Sequence, residues 1–135
     1  MLTNWVDNGR IMWLGYVDEY QKSLLYNKAE LSIYPSLFEG FGMPVVEAMS
    51  HGCPVLCSYS SSLPEAGGEA AFYFDPTSIA SFEEALFSTL TAIRWKRQVI
   101  RNASLQHAKN ITWEHFNTVI KNKIDSIVSS KAGRA

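Results

Sequence analysis

Glu39-Gly-Phe-Gly-Met-Pro-Val-Val-Glu47-Ala-Met sets two carboxylates eight positions apart across a glycine-rich turn that runs into a proline-started helix. Just ahead of it, Leu31-Ser-Ile-Tyr-Pro-Ser36 reads as a short strand stopped by a proline. The Gly40-Phe-Gly42 turn therefore lies at a strand's carboxyl end, with positive φ expected at both glycines. Pro44 suits the first helical position, because its fixed φ fits the helix and its missing N–H would have gone unpaired there. The free N–H groups of that helix start, with the positive end of the dipole, can hold a phosphate. Glu47 falls roughly 5 Å along the axis from Pro44, at about 1.5 Å per residue. One carboxylate then faces hydroxyls on one side of a bound phosphate and the other meets a different part of the same ligand. A solvated pair of glutamates flanking a turn is the plain alternative.

Outward from this stretch, strands and helices alternate over short connections. Ile11-Met-Trp-Leu14 reads as a buried strand entered after Asn8-Gly9, a pair suited to closing a preceding helical piece. Asp18 to Ala29 follows as a helix with acids near its start. After the Leu31 to Tyr34 strand and the Pro44 to Ser50 helix come a strand over Pro54 to Cys57 and a polar loop over Ser58 to Ser62. Pro64-Glu65 opens a short helical turn, Ala71 to Phe74 is a fourth strand, and Asp75-Pro76 turns into a helix over Ile79 to Ala92. The remainder reads as helical, ending in an amphipathic helix with an apolar stripe of Trp113, Phe116, Ile120, Ile124 and Ile127. The fold class is α/β, a Rossmann-like parallel sheet with helices on both faces. Ligands in such sheets bind at the strands' carboxyl ends, where the Glu39 turn and the serine loop both fall. Residues 1–128 form one domain and Ser129 to Ala135 a frayed tail.

At 135 residues and 47% hydrophobic content the chain is long enough for one core. A net charge of -1 gives no sign of nucleic-acid binding. The lack of an apolar run of roughly 18 to 20 residues, or of a signal-like start, makes a cytoplasmic location the expectation. Cys53 and Cys57 are too few for a disulfide framework and read as core thiols. His51, beside Gly52, reads as a helix end, and His107 and His115 as structural or surface residues. Arg94, Arg97 and Arg101 fall on one helical face beside Trp95; a solvated basic face is the plainer reading and contact with an anionic membrane surface the sharper one.

Gly15-Tyr-Val, Leu25-Tyr, Tyr34-Pro-Ser, Glu39 to Met49, Gly52-Cys-Pro-Val55, Leu63-Pro-Glu65 and Asp75-Pro76 resemble, in this order, the carboxyl-terminal domain of retaining glycosyltransferases of family 4, the group 1 transferases. The resemblance runs from about Arg10 to Ile124. It implies two facing Rossmann-like lobes, the GT-B arrangement, with the nucleotide-sugar donor on the carboxyl-terminal lobe. For Glu39 it implies contact with hydroxyls of the transferred sugar at the reaction centre, and for Glu47 a grip on the ribose. Gly40, Phe41, Gly42 and Met43 would supply backbone donors to sugar and diphosphate. Retention in this family is ascribed to same-face attack within a short-lived ion pair, which makes Glu39 a positioning and electrostatic group. No cofactor or metal is expected, since no Asp-x-Asp pair occurs to hold a metal-bound diphosphate.

The arginine and lysine that neutralise the departing diphosphate in this family would precede Met1, as would the acceptor-binding lobe. The chain therefore reads as the distal part of a two-lobe enzyme, inactive alone, with the nucleotide sugar and an amino-terminal lobe as partners. Its terminal stripe, lacking that cover, is expected to self-associate or to fray beyond about Ile120. The alternative is a catalytically silent nucleotide-sugar-binding or interaction module.

Overall fold

A computed structural model describes residues 9–132 of the chain. Helix α1 spans Glu19–Lys28, followed by strand β1 (Ser32–Tyr34), helix α2 (Met43–Ser50), strand β2 (Val55–Ser58), the short helix α3 (Leu63–Gly67), strand β3 (Phe72–Phe74), and the long helices α4 (Ile79–Lys109) and α5 (Trp113–Ala132). The strands form one parallel sheet in the order β1-β2-β3. Consecutive parallel strands need crossovers, and α2 and α3 supply them.

Why β2 is central can be read from its four residues, all buried. Successive strand side chains point to opposite faces, so a run with no exposed member demands cover on both. Val55 and Cys57 join a core cluster with Val45, Val46, Ala48 and Met49 of α2 and with Leu63 and Ala66 of α3. Leu56 and Ser58 point the other way and are buried too. Ile33, which pairs with Leu56 and shares its face, is 41% exposed, so that second face is covered over β2 and open at β1. Both thiols are free and buried; burial pushes the Cys57 thiol up to about 12, as befits a core residue.

Local signals set the helix ends. Asp18 caps α1 in a capping box with Gln21: the carboxylate accepts from the Gln21 amide at 2.7 Å and the Gln21 side chain accepts from the Asp18 amide at 3.0 Å. The Ser78 hydroxyl caps α4. That helix runs far past Ala92 and is interrupted at Lys96, whose φ of −133° and ψ of 27° are non-helical. His107, near its end, lies within 2.9 Å of the Ala66 carbonyl through Nε2, and its ring fills the space that a side chain at Gly68 would take. That is a structural role.

Three sequence expectations change. Ile11 to Leu14 is not a strand: it pairs with no strand among the described residues and its four side chains are exposed, Trp13 by 85%. An apolar tetrapeptide has strand character only where a neighbour accepts its backbone hydrogen bonds. Among the described residues the sheet thus has three strands. Ser58 belongs to β2 and not to the loop after it. Finally, α5 continues to Ala132, past the start of the expected tail. The helical piece expected before Asn8, and the side chains of Trp113 and His115, lie outside the described residues. Phe116, Ile120, Ile124 and Ile127 of the stripe are all exposed. No helix among the described residues is long and apolar enough to cross a membrane.

Candidate functional site

The loop from Pro35 to Gly42 leaves the carboxyl end of β1 and delivers the chain to α2. Gly42 is the N-cap of α2, with φ of 99° and ψ of 42°, a left-handed conformation that costs other residues roughly 1 to 2 kcal/mol. A Cβ there would also meet Leu63 Cδ2 at 2.7 Å and the Ala66 Cβ at 3.3 Å. Packing of α3 against the helix start therefore requires glycine. Gly40 differs: its φ is not positive, correcting the expectation, and a Cβ built on it would touch nothing within 4 Å. The fold gives no reason for glycine there. Phe41 and Met43 are 37% and 47% exposed, and Leu37 and Phe38 ahead of them 65% and 80%. An apolar lip thus borders Gly40. Pro44 occupies the second helical position, since the helix starts one residue earlier, at Met43.

Glu39 is gripped from two elements. The Tyr34 hydroxyl at the end of β1 donates to Glu39 Oε1 at 2.5 Å. In the loop after β2, Ser61 and Ser62 donate to the Glu39 carbonyl at 2.8 and 3.0 Å, and Ser60 donates to the Leu37 carbonyl at 2.6 Å. Ser61 adopts φ of 52°, the positive-φ non-glycine residue among those described. The electrostatics follow the geometry. Hydrogen bonds from Tyr34 and then Ser36 hold the Glu39 carboxyl below its usual range, while the same bond pushes the Tyr34 phenol up to about 12. Each partner stabilises the other's present charge state: carboxylate and neutral phenol.

Glu47, one turn into α2, is held separately. Lys22 Nζ of α1 lies 3.0 Å from Glu47 Oε2 and 2.9 Å from Glu19 Oε1. Hydrogen bonds to Glu19 and then Glu47 keep that ammonium charged far above the ordinary lysine range. His51 ends the same helix, its Nδ1 2.9 Å from the Glu47 carbonyl and its ring 5.7 Å from that of Tyr26. The helix-end reading of His51 stands.

All six expected site residues thus lie on one continuous segment, Glu39 to Met43 with Glu47 a turn further on. Tyr34, the serine loop and Lys22 were not singled out as its supports. Tyr34 lies in the Tyr34-Pro-Ser run, and the serines read as a polar loop at a strand's carboxyl end; neither pattern marks a support for Glu39. Lys22 carries no signal beyond its three-residue spacing from Glu19, because its second partner comes from another helix. What the arrangement offers chemically is a fixed anionic carboxylate beside an open glycine backbone and a helix start.

The family model of the glycosyl transferases group 1 matches residues 7–106. Among curated relatives, the O-antigen chain mannosyltransferase B of Escherichia coli is 39% identical over 110 residues, covering 82% of this chain and 29% of that protein. The MMP alpha-(1->4)-mannosyltransferase of Mycolicibacterium hassiacum is 33% identical over 103 residues, covering 74% of this chain and 25% of that protein. Among solved structures, the sucrose-phosphate synthase from Thermosynechococcus elongatus superposes with a TM-score of 0.75 over 96% of this chain and 34% of its own, at 20% identity. The chain spans 29% and 25% of the length of the two mannosyltransferases and 34% of the sucrose-phosphate synthase chain.

Proposed function

The chain belongs to the group 1 glycosyl transferases, and from that premise we propose that it is the donor-binding lobe of a retaining glycosyltransferase. It would take part in moving a sugar from a nucleotide diphosphate sugar to an acceptor during cytoplasmic assembly of a cell-surface polysaccharide. Two of the relatives are named as O-antigen chain and MMP mannosyltransferases, which favours mannosyl transfer.

The observation that carries this reading is the pairing of Glu39 with Gly40. A carboxylate held ionised by neutral donors stands next to a glycine that neither φ nor packing requires. Close approach of a ligand to the backbone is the remaining use of such a glycine. The start of α2 immediately beyond, at Gly42 and Met43, presents amide donors and the positive end of the helix dipole to a diphosphate. No metal enters this scheme: the helix dipole and basic side chains offset the charge of the leaving group. In this reading Glu39 stabilises positive charge developing at the transferred carbon. Glu47 accepts from ribose hydroxyls through Oε1, which makes no hydrogen bond among the described residues while Lys22 occupies Oε2.

The chain alone is expected to transfer no sugar, since stabilising the diphosphate and excluding water both need groups from a second lobe. Steady-state kinetics with the chain in a two-lobe protein test the assignment. Glu47→Gln should weaken donor and free nucleotide about tenfold or more, a charge-assisted hydrogen bond contributing roughly 1.5 to 3 kcal/mol. Glu39→Gln should lower turnover with little change in nucleotide affinity. A Glu39 variant altered only in its Michaelis constant would contradict the role given to it.

A further inference from the structure

We propose that Tyr34 and the Ser60–Ser62 loop are positioning residues for Glu39, Tyr34 setting its carboxylate and the serines its backbone. The proposal rests on the donor-lobe reading for its purpose, but its geometry is independent of any ligand. Two elements far apart in sequence converge on one residue. Tyr34 reaches it from the end of β1 at 2.5 Å, and Ser61 and Ser62 reach across 22 and 23 positions to its carbonyl at 2.8 and 3.0 Å. Ser60 fixes the Leu37 carbonyl two residues earlier at 2.6 Å. Both ends of Glu39 are therefore specified from outside its own loop.

The choice of neutral hydroxyls has a chemical consequence. Glu47 shares its charge with an ammonium, whereas Glu39 makes no ion pair among the described residues. Neutral donors orient a carboxylate without cancelling its field, and a preoriented negative charge is what a positive transition state can use. Ser61 accepts a left-handed φ of 52° in order to present its hydroxyl, a conformation that non-glycine residues hold only where the surroundings dictate it.

The test uses the chain itself, without donor. Carboxyl ¹³C resonances are followed against pH by NMR, and amide spectra report the fold. Tyr34→Phe should shift the Glu39 midpoint upward, towards that of an unstructured peptide, with the amide spectrum of β1 to β3 unchanged. Ser61→Ala with Ser62→Ala should speed amide exchange over residues 37–42 and leave the sheet protected. Ser61→Gly removes the backbone strain along with the hydroxyl, and it too should loosen the loop. Should Tyr34→Phe fail to fold, Glu39→Gln reads the same bond from its other end, the Tyr34 phenol falling from about 12 towards an ordinary tyrosine value in ultraviolet titration. An unmoved Glu39 midpoint in Tyr34→Phe, an unmoved phenol in Glu39→Gln, or unaltered exchange in the serine variants would overturn the proposal. None of these outcomes depends on whether a nucleotide sugar binds, so the donor reading fails or stands separately.

Discussion

Lys22 Nζ stands 3.0 Å from Glu47 Oε2, and this ion pair joins α1 to α2. Helix α1 has no fully buried residue of its own, so its seat on the body depends on a few contacts: this pair, Tyr26 and Ala29 against the core cluster, and Tyr26 against the His51 ring. Lys22→Gln is therefore expected to speed amide exchange throughout α1 while leaving the urea midpoint of the sheet almost unchanged. Added salt should reproduce part of the effect in the unaltered chain, because partly exposed pairs are screened. Exchange in α1 insensitive to both would mean that the apolar contacts hold the helix unaided.

Gly42 and Leu63 make a second contact with a measurable consequence. Gly42→Ala would place a methyl 2.7 Å from Leu63 Cδ2 at a φ of 99°. Left-handed strain and overpacking together should cost about 2 to 4 kcal/mol. Gly40→Ala, with open space around it, should change stability little and damage donor binding instead. Urea denaturation of the two variants separates a glycine kept for the fold from one kept for a ligand.

That difference between neighbouring glycines was not legible in the sequence, where both read as turn residues with positive φ. Spacing located the turn; only packing told which glycine α3 leans on. The strands at 32–34, 55–58 and 72–74 were legible to within one residue at their ends because short apolar runs stood between helical stretches and turn residues. Ile11 to Leu14 shows the limit of the same rule. Its composition is that of a strand, yet pairing is a property of two segments, and β1 does not accept it. The supports of the site were hidden for a similar reason. Tyr34 is five residues from Glu39, but Ser61 and Lys22 reach their carboxyl-bearing partners from other elements, and no local pattern announces such contacts.

Burial makes a prediction about thiol chemistry. The Cys57 thiol, wholly inaccessible and pushed up to about 12, is almost entirely protonated at pH 8. Because the thiolate is the reactive form, a disulfide reagent at that pH should leave Cys57 untouched in the native chain and label it in urea. Rapid labelling under native conditions would mean that β2 opens readily.

Helix α5 leaves Phe116, Val119, Ile120, Ile124 and Ile127 between 45% and 55% exposed. Apolar area of this extent on one helix promotes association. The chain is expected to self-associate through α5, and Ile124→Glu with Ile127→Glu should be more monomeric in light scattering without loss of the sheet. A wild-type monomer with α5 as protected from exchange as β2 would instead place its apolar side on its own lobe.

The central claim, that the Glu39 to Glu47 segment receives a nucleotide sugar, is tested most directly by NMR titration of the labelled chain with millimolar UDP-, GDP- and ADP-sugars. The account predicts saturable shifts for one of them at the Gly40, Phe41, Gly42 and Met43 amides and at the Glu47 carboxyl, strongly weakened in Glu47→Gln. Saturable shifts centred elsewhere, or none at this segment with any of the three, would contradict it.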